Sequence, residues 1–181
     1  MNKELELKKL NQEIRKCRSC GLGKDRKNTV PGEGPANAKI MVIGQAPGAL
    51  EDKTGRPFVG RAGRFLDELL KIAGIKREKV FITSIVKCFP PKNRKPSEEE
   101  IEKDLPYLKK QIEIINPEKF ILLGELAFSV FFPGKKLKDF RGKWLKKDKK
   151  DYFISYHPAA GIRFVKFKKI IEKDFKKIGK L

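Results

Sequence analysis

Residues 39–63 read KIMVIGQAPGALEDKTGRPFVGRAG, and their pattern decides the fold class. Lys39–Gly44 is a short apolar run ending on glycine, the pattern of a buried strand. From about Arg61 to Ala73 the apolar residues recur at helical spacing. Residues 44–63, which join strand to helix, hold five glycines, two prolines, two adjacent carboxylates (Glu51 and Asp52) and one aromatic, Phe58. Glycines let backbone N–H groups approach a ligand closely. Phe58, flanked by Pro57 and Gly60, offers a rigid face on which a flat ring can stack. The same residues also read more plainly: Phe58 as core, Glu51 and Asp52 as solvated acids or helix-cap partners.

Outward from this unit, strands and helices continue to alternate. ELELKKLNQEIRKC reads as a helix with Leu7, Leu10, Ile14 and Cys17 on one face, followed by a loop. Val80–Val86 reads as the second strand. Ser97 and Glu100 form a capping box. It opens a helix striped with Ile101, Leu105, Leu108, Ile112 and Ile115, which Pro106 is expected to kink or split. Lys119–Gly124 is the third strand, ELAFSVFF a short helix, the basic region around Trp144 hairpin-like, and Tyr152–Tyr156 the fourth strand. Residues 164–181 place Phe164, Phe167, Ile171, Phe175 and Ile178 at helical spacing, a packed helix with a basic outer face. This alternation predicts an α/β fold, a three-layer α/β/α sandwich around a central four-stranded, mainly parallel sheet. No repeat or linker interrupts it, so residues 1–181 are expected to form a single domain. Such sheets bind ligands at the carboxyl ends of their strands. The segments GQAPG, SIVKC, GELA and HPAAG fall there, and three of them are chemically unusual. The only histidine, His157, is in the last.

The net charge is +20, from 43 basic and 23 acidic residues. Lysine and arginine displace counterions from a phosphate backbone, so a nucleic-acid partner is the physical expectation. A lysine-rich solvated surface is the plainer reading. No apolar run is long enough to span a bilayer and no signal peptide opens the chain, so a cytoplasmic location is expected. Cys17 and Cys20 form CRSC, and Cys88 lies far downstream. An odd cysteine count in such a protein argues against a disulfide framework and invites a metal reading.

GQAPGALEDKTGRPFVG, ITSIVKCFPPKNRKP and YHPAAGIR together resemble the motifs of the family 4 uracil-DNA glycosylases, iron–sulfur enzymes of the uracil-DNA glycosylase superfamily. The resemblance runs from CRSC to the final helix. It implies the fold of that superfamily and a monofunctional enzyme that flips a deaminated base out of DNA and hydrolyses its N-glycosidic bond in base excision repair. It implies that Phe58 stacks on the base, and that Gly44 and the backbone of Gln45 and Ala46 contact it. It implies that His157 donates a hydrogen bond to the departing base, while Glu51 positions water. Asn93 falls on a family asparagine near the site, and Ile162 and Arg163 match the loop that pushes into the duplex. DNA, single- or double-stranded, is the implied partner, and a monomer is expected.

Two departures from the family pattern matter. Ser84 stands where an asparagine reads the edge of uracil, and serine cannot make the same bidentate contact. Losing a base-edge contact weakens discrimination by about 1–3 kcal/mol. A glycosylase for hypoxanthine, xanthine or another deaminated base is therefore the alternative activity. Gln45 replaces a glutamate, a change that resembles the cluster-free enzymes of the superfamily. The second departure concerns the [4Fe–4S] cluster. Cys17, Cys20 and Cys88 match three ligands, and Asp104 stands at the fourth. A carboxylate is a harder ligand than thiolate and holds iron less firmly. Asp104 also reads as the N-cap of a helix restarted near Pro106. Zinc in the same site is the alternative metal. A non-catalytic iron–sulfur protein that only binds damaged DNA is the alternative of another class, and an electron carrier a further one.

Overall fold

In a computed structural model, which describes residues 2–179, five strands make one sheet in the order β2-β1-β3-β5-β4. The strands are β1 (Ile40–Gly44), β2 (Val80–Ser84), β3 (Lys119–Leu123), β4 (Trp144–Lys147) and β5 (Lys150–Ser155). The helices are α1 (Lys3–Lys16), α2 (Ala49–Thr54), α3 (Arg61–Ile72), α4 (Glu98–Ile115), α5 (Glu125–Phe131), α6 (Leu137–Phe140), α7 (Pro158–Arg163) and α8 (Val165–Phe175). β2, β1, β3 and β5 are parallel, with Gly44 opposite Ser84 and Leu123 opposite Ser155.

Side chains alternate across a strand, so each strand feeds two cores. Met41, Ile43, Phe120, Leu122 and Ile154 face one side, with Leu108 and Ile115 of α4 and Phe128 of α5. Val42, Ile121, Leu123 and Phe153 face the other, with Phe65, Leu66 and Leu69 of α3 and Ile171 and Phe175 of α8. This is the expected three-layer α/β/α sandwich, with the sheet buried on both faces.

The sheet has five strands rather than four. β4 pairs antiparallel with β5 through a tight turn at Asp148 and Lys149, whose φ values are 49° and 59°. Two residues at positive φ make the turn type that suits hairpin twist. The sequence marks a hairpin near Trp144 but hides this strand, because WLKK at a sheet edge is lysine-rich. Lysine protects such an edge from pairing with other chains.

Two expectations about helices need correction. α4 runs unbroken through Pro106. Pro106 and Glu102, whose carbonyl loses its N–H partner, are both exposed, so solvent can replace the bond. The terminal helix forms as expected but is shorter than residues 164–181, running over Val165–Phe175. The chain breaks at Phe164, which is extended (φ −135°, ψ 120°) and caps α8. α7 lies so tightly on its neighbours that a Cβ on Gly161 would sit 2.6 Å from Phe65 Cε1 and 3.2 Å from Lys168 Cα. A straight continuation would not allow that approach. Ile171, Phe175 and Ile178 are buried as expected, whereas Phe164 is 54% exposed. Residues 180–181 of the same stretch lie outside the described residues.

Candidate active site

The chain leaves β1 toward one edge of the sheet and later returns to the other side of β1 as β3. A crevice opens where strand order reverses in this way. The turn after β1 is pinned across the sheet: Ile85 N–H donates to Gly44 O (3.0 Å) and Val86 N–H to Gln45 O (3.2 Å). A cleft of about 380 Å³ lies there, lined by residues that include Gln45, Ala46, Glu51, Phe58, Ser84, Asn93, His157 and Arg163. A groove of about 560 Å³ between α1 and residues 34–36 contains none of the predicted site residues. The strand-end cleft is therefore the candidate despite its smaller volume.

Phe58 is held from three directions. Its own φ is 50°, a left-handed conformation that costs free energy in a non-glycine residue. Glu51 secures it: Oε1 accepts from the N–H groups of Val59 and Gly60 (2.9 Å each) and Oε2 from that of Gly48 (3.1 Å). The Phe58 carbonyl lies against α3, where a Cβ on Gly63 would be 1.9 Å away. Its ring lies directly over Gly44, where a Cβ would fall 2.7 Å from Cζ. Glu51 thus does the work of a loop clamp and helix cap, and Asp52 is similar, accepting from Lys27 N–H (3.0 Å) and Asn28 N–H (3.2 Å).

His157 caps α7, and its Nδ1 accepts from Ala159 N–H at 3.1 Å. Burial drives its pKa down to about 4, only partly opposed by the Glu51 charge. The imidazole is therefore neutral near pH 7, and with Nδ1 used as acceptor its proton resides on Nε2. Nε2 is 3.6 Å from where a Gly44 Cβ would be, so it is aimed at the same place as the Phe58 ring. The two rings stack with centroids 5.6 Å apart and planes 29° from parallel. Gly124 (φ 93°) makes room, since a Cβ there would be 3.0 Å from His157 Cβ. Its signal in the sequence is a glycine immediately after a strand.

Ser84 is 3% exposed and its carbonyl accepts from Lys87 Nζ at 2.7 Å. Asn93 reaches the cleft from the loop before α4, where it and Lys92 both have φ of 56°. Arg94 anchors that loop with a forked contact to Glu100 at 2.6 and 2.8 Å. Ile162 does not join the cleft; it is partly buried against the α3/α8 core. Arg163 does line it, and next along the chain Phe164 and Val165 stand 54% and 73% exposed. Helical spacing places Phe164 in the core, and the structure instead leaves it exposed beside the cleft residue Arg163.

A family profile described as the uracil DNA glycosylase superfamily matches residues 31–177. The chain belongs to that superfamily. A type-4 uracil-DNA glycosylase of Saccharolobus solfataricus is 47% identical over 92% of this chain and 82% of its own length. One from Sulfurisphaera tokodaii is 45% identical over 97% of this chain and 84% of its own. One from Archaeoglobus fulgidus is 42% identical over 94% and 90%, respectively.

In this superfamily member Cys17, Cys20, Cys88 and Asp104 share one neighbourhood, since each cysteine senses the Asp104 charge. Burial pushes the Cys88 thiol up to about 12, against the pull of Arg26. Burial also raises Cys20, and it would raise Cys17, where hydrogen bonds with Ser19 and Tyr107 reverse the direction. Burial raises Asp104 against the pull of the Lys87 N–H. Asp104 caps no helix start; its Oδ2 accepts from Lys87 N–H at 2.6 Å from the middle of α4. Among the described residues no three His, Cys, Asp or Glu side chains converge as a single metal ion requires. Three thiols and a carboxylate are a donor set that an iron–sulfur cluster or zinc could use. The Arg26 guanidinium, 3.5 Å from Cys88 Sγ, favours the thiolate form there.

Proposed function

We propose that this chain is a monofunctional DNA glycosylase that turns uracil out of DNA and hydrolyses its N-glycosidic bond. The observation that carries this reading is a neutral His157, protonated on Nε2, stacked beside Phe58 on the floor of a strand-end cleft. The names of relatives at 42–47% identity support uracil over the other deaminated bases.

The extruded base stacks on Phe58 above Gly44, with the Gln45 and Ala46 backbone at one carbonyl and Ser84 and Asn93 at its edges. As the C1′–N bond breaks, its electron pair moves into the base. Nε2–H of His157 donates to the carbonyl oxygen where that charge collects, a fixed donor that stabilises the transition state. A water oxygen bonds to C1′, and one of its protons ends on the departing base. Glu51 holds Phe58 and keeps a carboxylate edge on the cleft for that water. No lysine lines the cleft among the described residues, so no amine competes with water for the sugar carbon.

The mouth is basic and apolar. Arg163, with Ile162 behind it, and the exposed Phe164 and Val165 enter the space the base leaves, while the +20 charge grips the phosphates. Cys17, Cys20, Cys88 and Asp104 would hold a [4Fe–4S] cluster. When bound, that group supplies a cross-link between the α1 end, the residue 88 loop and α4. No described helix is long and apolar enough to cross a membrane; we place the enzyme in the cytoplasm as a single-domain monomer.

The test is a panel of duplexes carrying uracil, hypoxanthine, xanthine or a T·G mismatch, scored for alkali-labile abasic sites. Uracil duplexes should be cut and normal DNA spared, with His157→Ala abolishing most release. Binding to uracil duplexes without release of any base would refute the reading.

A further inference from the structure

Lys87 is 1% exposed, although lysine is rarely buried so fully. It has no carboxylate on its amine. Instead its three N–H groups meet three neutral acceptors: Thr83 Oγ1 (2.7 Å), the Ser84 carbonyl (2.7 Å) and Gln111 Oε1 (2.8 Å). Gln111 Nε2 and Thr83 Oγ1 both donate onward to the Pro31 carbonyl, at 2.7 and 2.8 Å. The network is closed, with every donor of the amine used, and such buried networks specify one arrangement.

The backbone of the same residue reaches two further places. Its carbonyl accepts from Val30 N–H at 2.7 Å, and Val30 lines the cleft beside Ser84. Its N–H donates to Asp104 Oδ2 at 2.6 Å, and Cys88 follows it in the chain. An apolar side chain of equal length would fill the same volume. What only the amine provides is a donor that wraps back onto Thr83 and Ser84. It thereby sets the tight exit of β2, from which Ile85 and Val86 hold the Gly44–Gln45 turn.

We infer that Lys87 is a positioning residue that sets the Ser84 and Val30 edge of the cleft against the base and ties that edge to the Asp104 side of the molecule. The inference rests on the glycosylase reading only for the base that probes it. Without the amine, the Ser84 carbonyl is left buried and unpaired. It must turn to find another partner, changing the pattern of donors and acceptors that the base edge meets.

The experiment compares wild type with Lys87→Met, which keeps volume and the backbone N–H on Asp104, and Gln111→Met, which keeps the amine and removes one acceptor. Three quantities are read: inhibition by free uracil during uracil release, affinity for abasic-site DNA, and iron content. Lys87→Met should raise the inhibition constant of free uracil at least tenfold, with abasic-DNA affinity and iron content within about twofold of wild type. Gln111→Met should move the same constant in the same direction by about threefold. An inhibition constant does not depend on the fraction of protein folded, so a merely structural loss leaves it in place. An unmoved constant in Lys87→Met overturns the inference, and if that variant fails to fold, an unmoved constant in Gln111→Met does so. A wild-type protein that releases no uracil overturns the glycosylase reading and this inference with it; release by wild type with unmoved constants overturns the inference alone.

Discussion

Gly44→Ala is the sharpest single test of how the cleft is built. The added methyl would lie 2.7 Å from Phe58 Cζ, 2.8 Å from Cε2 and 3.6 Å from His157 Nε2. Carbon atoms rest at about 3.5–4.0 Å, so the ring must retreat by about 1 Å. Its backbone cannot yield, because the Phe58 carbonyl already abuts α3 at Gly63 and Glu51 holds the next two N–H groups. The ring must tilt, and tilting spoils its stack with His157. Forcing a methyl into packed space costs about 1–3 kcal/mol. A misplacement of 1 Å at a reacting centre can cost about a hundredfold. Single-turnover release of uracil from a U·G duplex should therefore fall about 10–100-fold, with abasic-DNA affinity within about twofold of wild type. The cause is separable by a double-mutant cycle. Phe58→Ala removes the ring that the methyl strikes, so Gly44→Ala/Phe58→Ala should be no slower than Phe58→Ala. If the alanine at 44 exacts its full penalty in the absence of the ring, the steric account is wrong.

Glu51→Gln should lower stability by about 1–3 kcal/mol, because an amide offers one acceptor oxygen where the carboxylate accepts three N–H bonds with two; an unchanged denaturation midpoint would mean the clamp is not what Glu51 provides. Below about pH 6.5 the unfolded chain takes up a proton on His157 that the folded chain refuses until its pKa of about 4. The wild type should accordingly lose up to about 3 kcal/mol relative to His157→Gln as pH falls from 6.5 to 4, and the difference should level off below that; parallel stability curves would contradict a neutral imidazole. Asp104→Cys should slow bleaching of the visible iron–sulfur absorption by a chelator several-fold, since thiolate is the softer ligand; equal or faster bleaching would remove Asp104 from the ligand set.

Much of the cleft was legible because its parts are local. A short apolar run ending in Gly44, and a sole histidine followed by proline and small residues, mark strand ends in any α/β chain. In such a chain, strand ends converge. The Ser97/Glu100 capping box was equally local, and the structure shows both of its bonds. Local patterns also mislead. Helical spacing cannot distinguish a residue facing the core from one at a break, so it places Phe164 in the core. A lysine-rich edge strand carries too weak an apolar pattern to be counted, so the sequence shows β4 only as part of a hairpin. Proline predicts a split helix, yet on the exposed face of α4 the lost bond is tolerated.

By itself the sequence determined the α/β order, the two-faced burial of the sheet, the basic surface and the residues that meet at the strand ends. Each of these follows from the period of side chains along a strand or helix, or from residue counts. Only the tertiary structure decided what those residues do to one another. Glu51 clamps the loop that carries Phe58, Lys87 closes a network with Gln111, and His157 keeps its proton on Nε2. The Lys87–Gln111 contact joins residues 24 apart, and the Glu51 clamp, though it reaches only eight or nine residues along the chain, exists only because the loop folds back on itself, so the period of side chains reveals neither. Even the His157 cap acquires its electrostatic meaning from the depressed pKa that burial against the rest of the fold imposes.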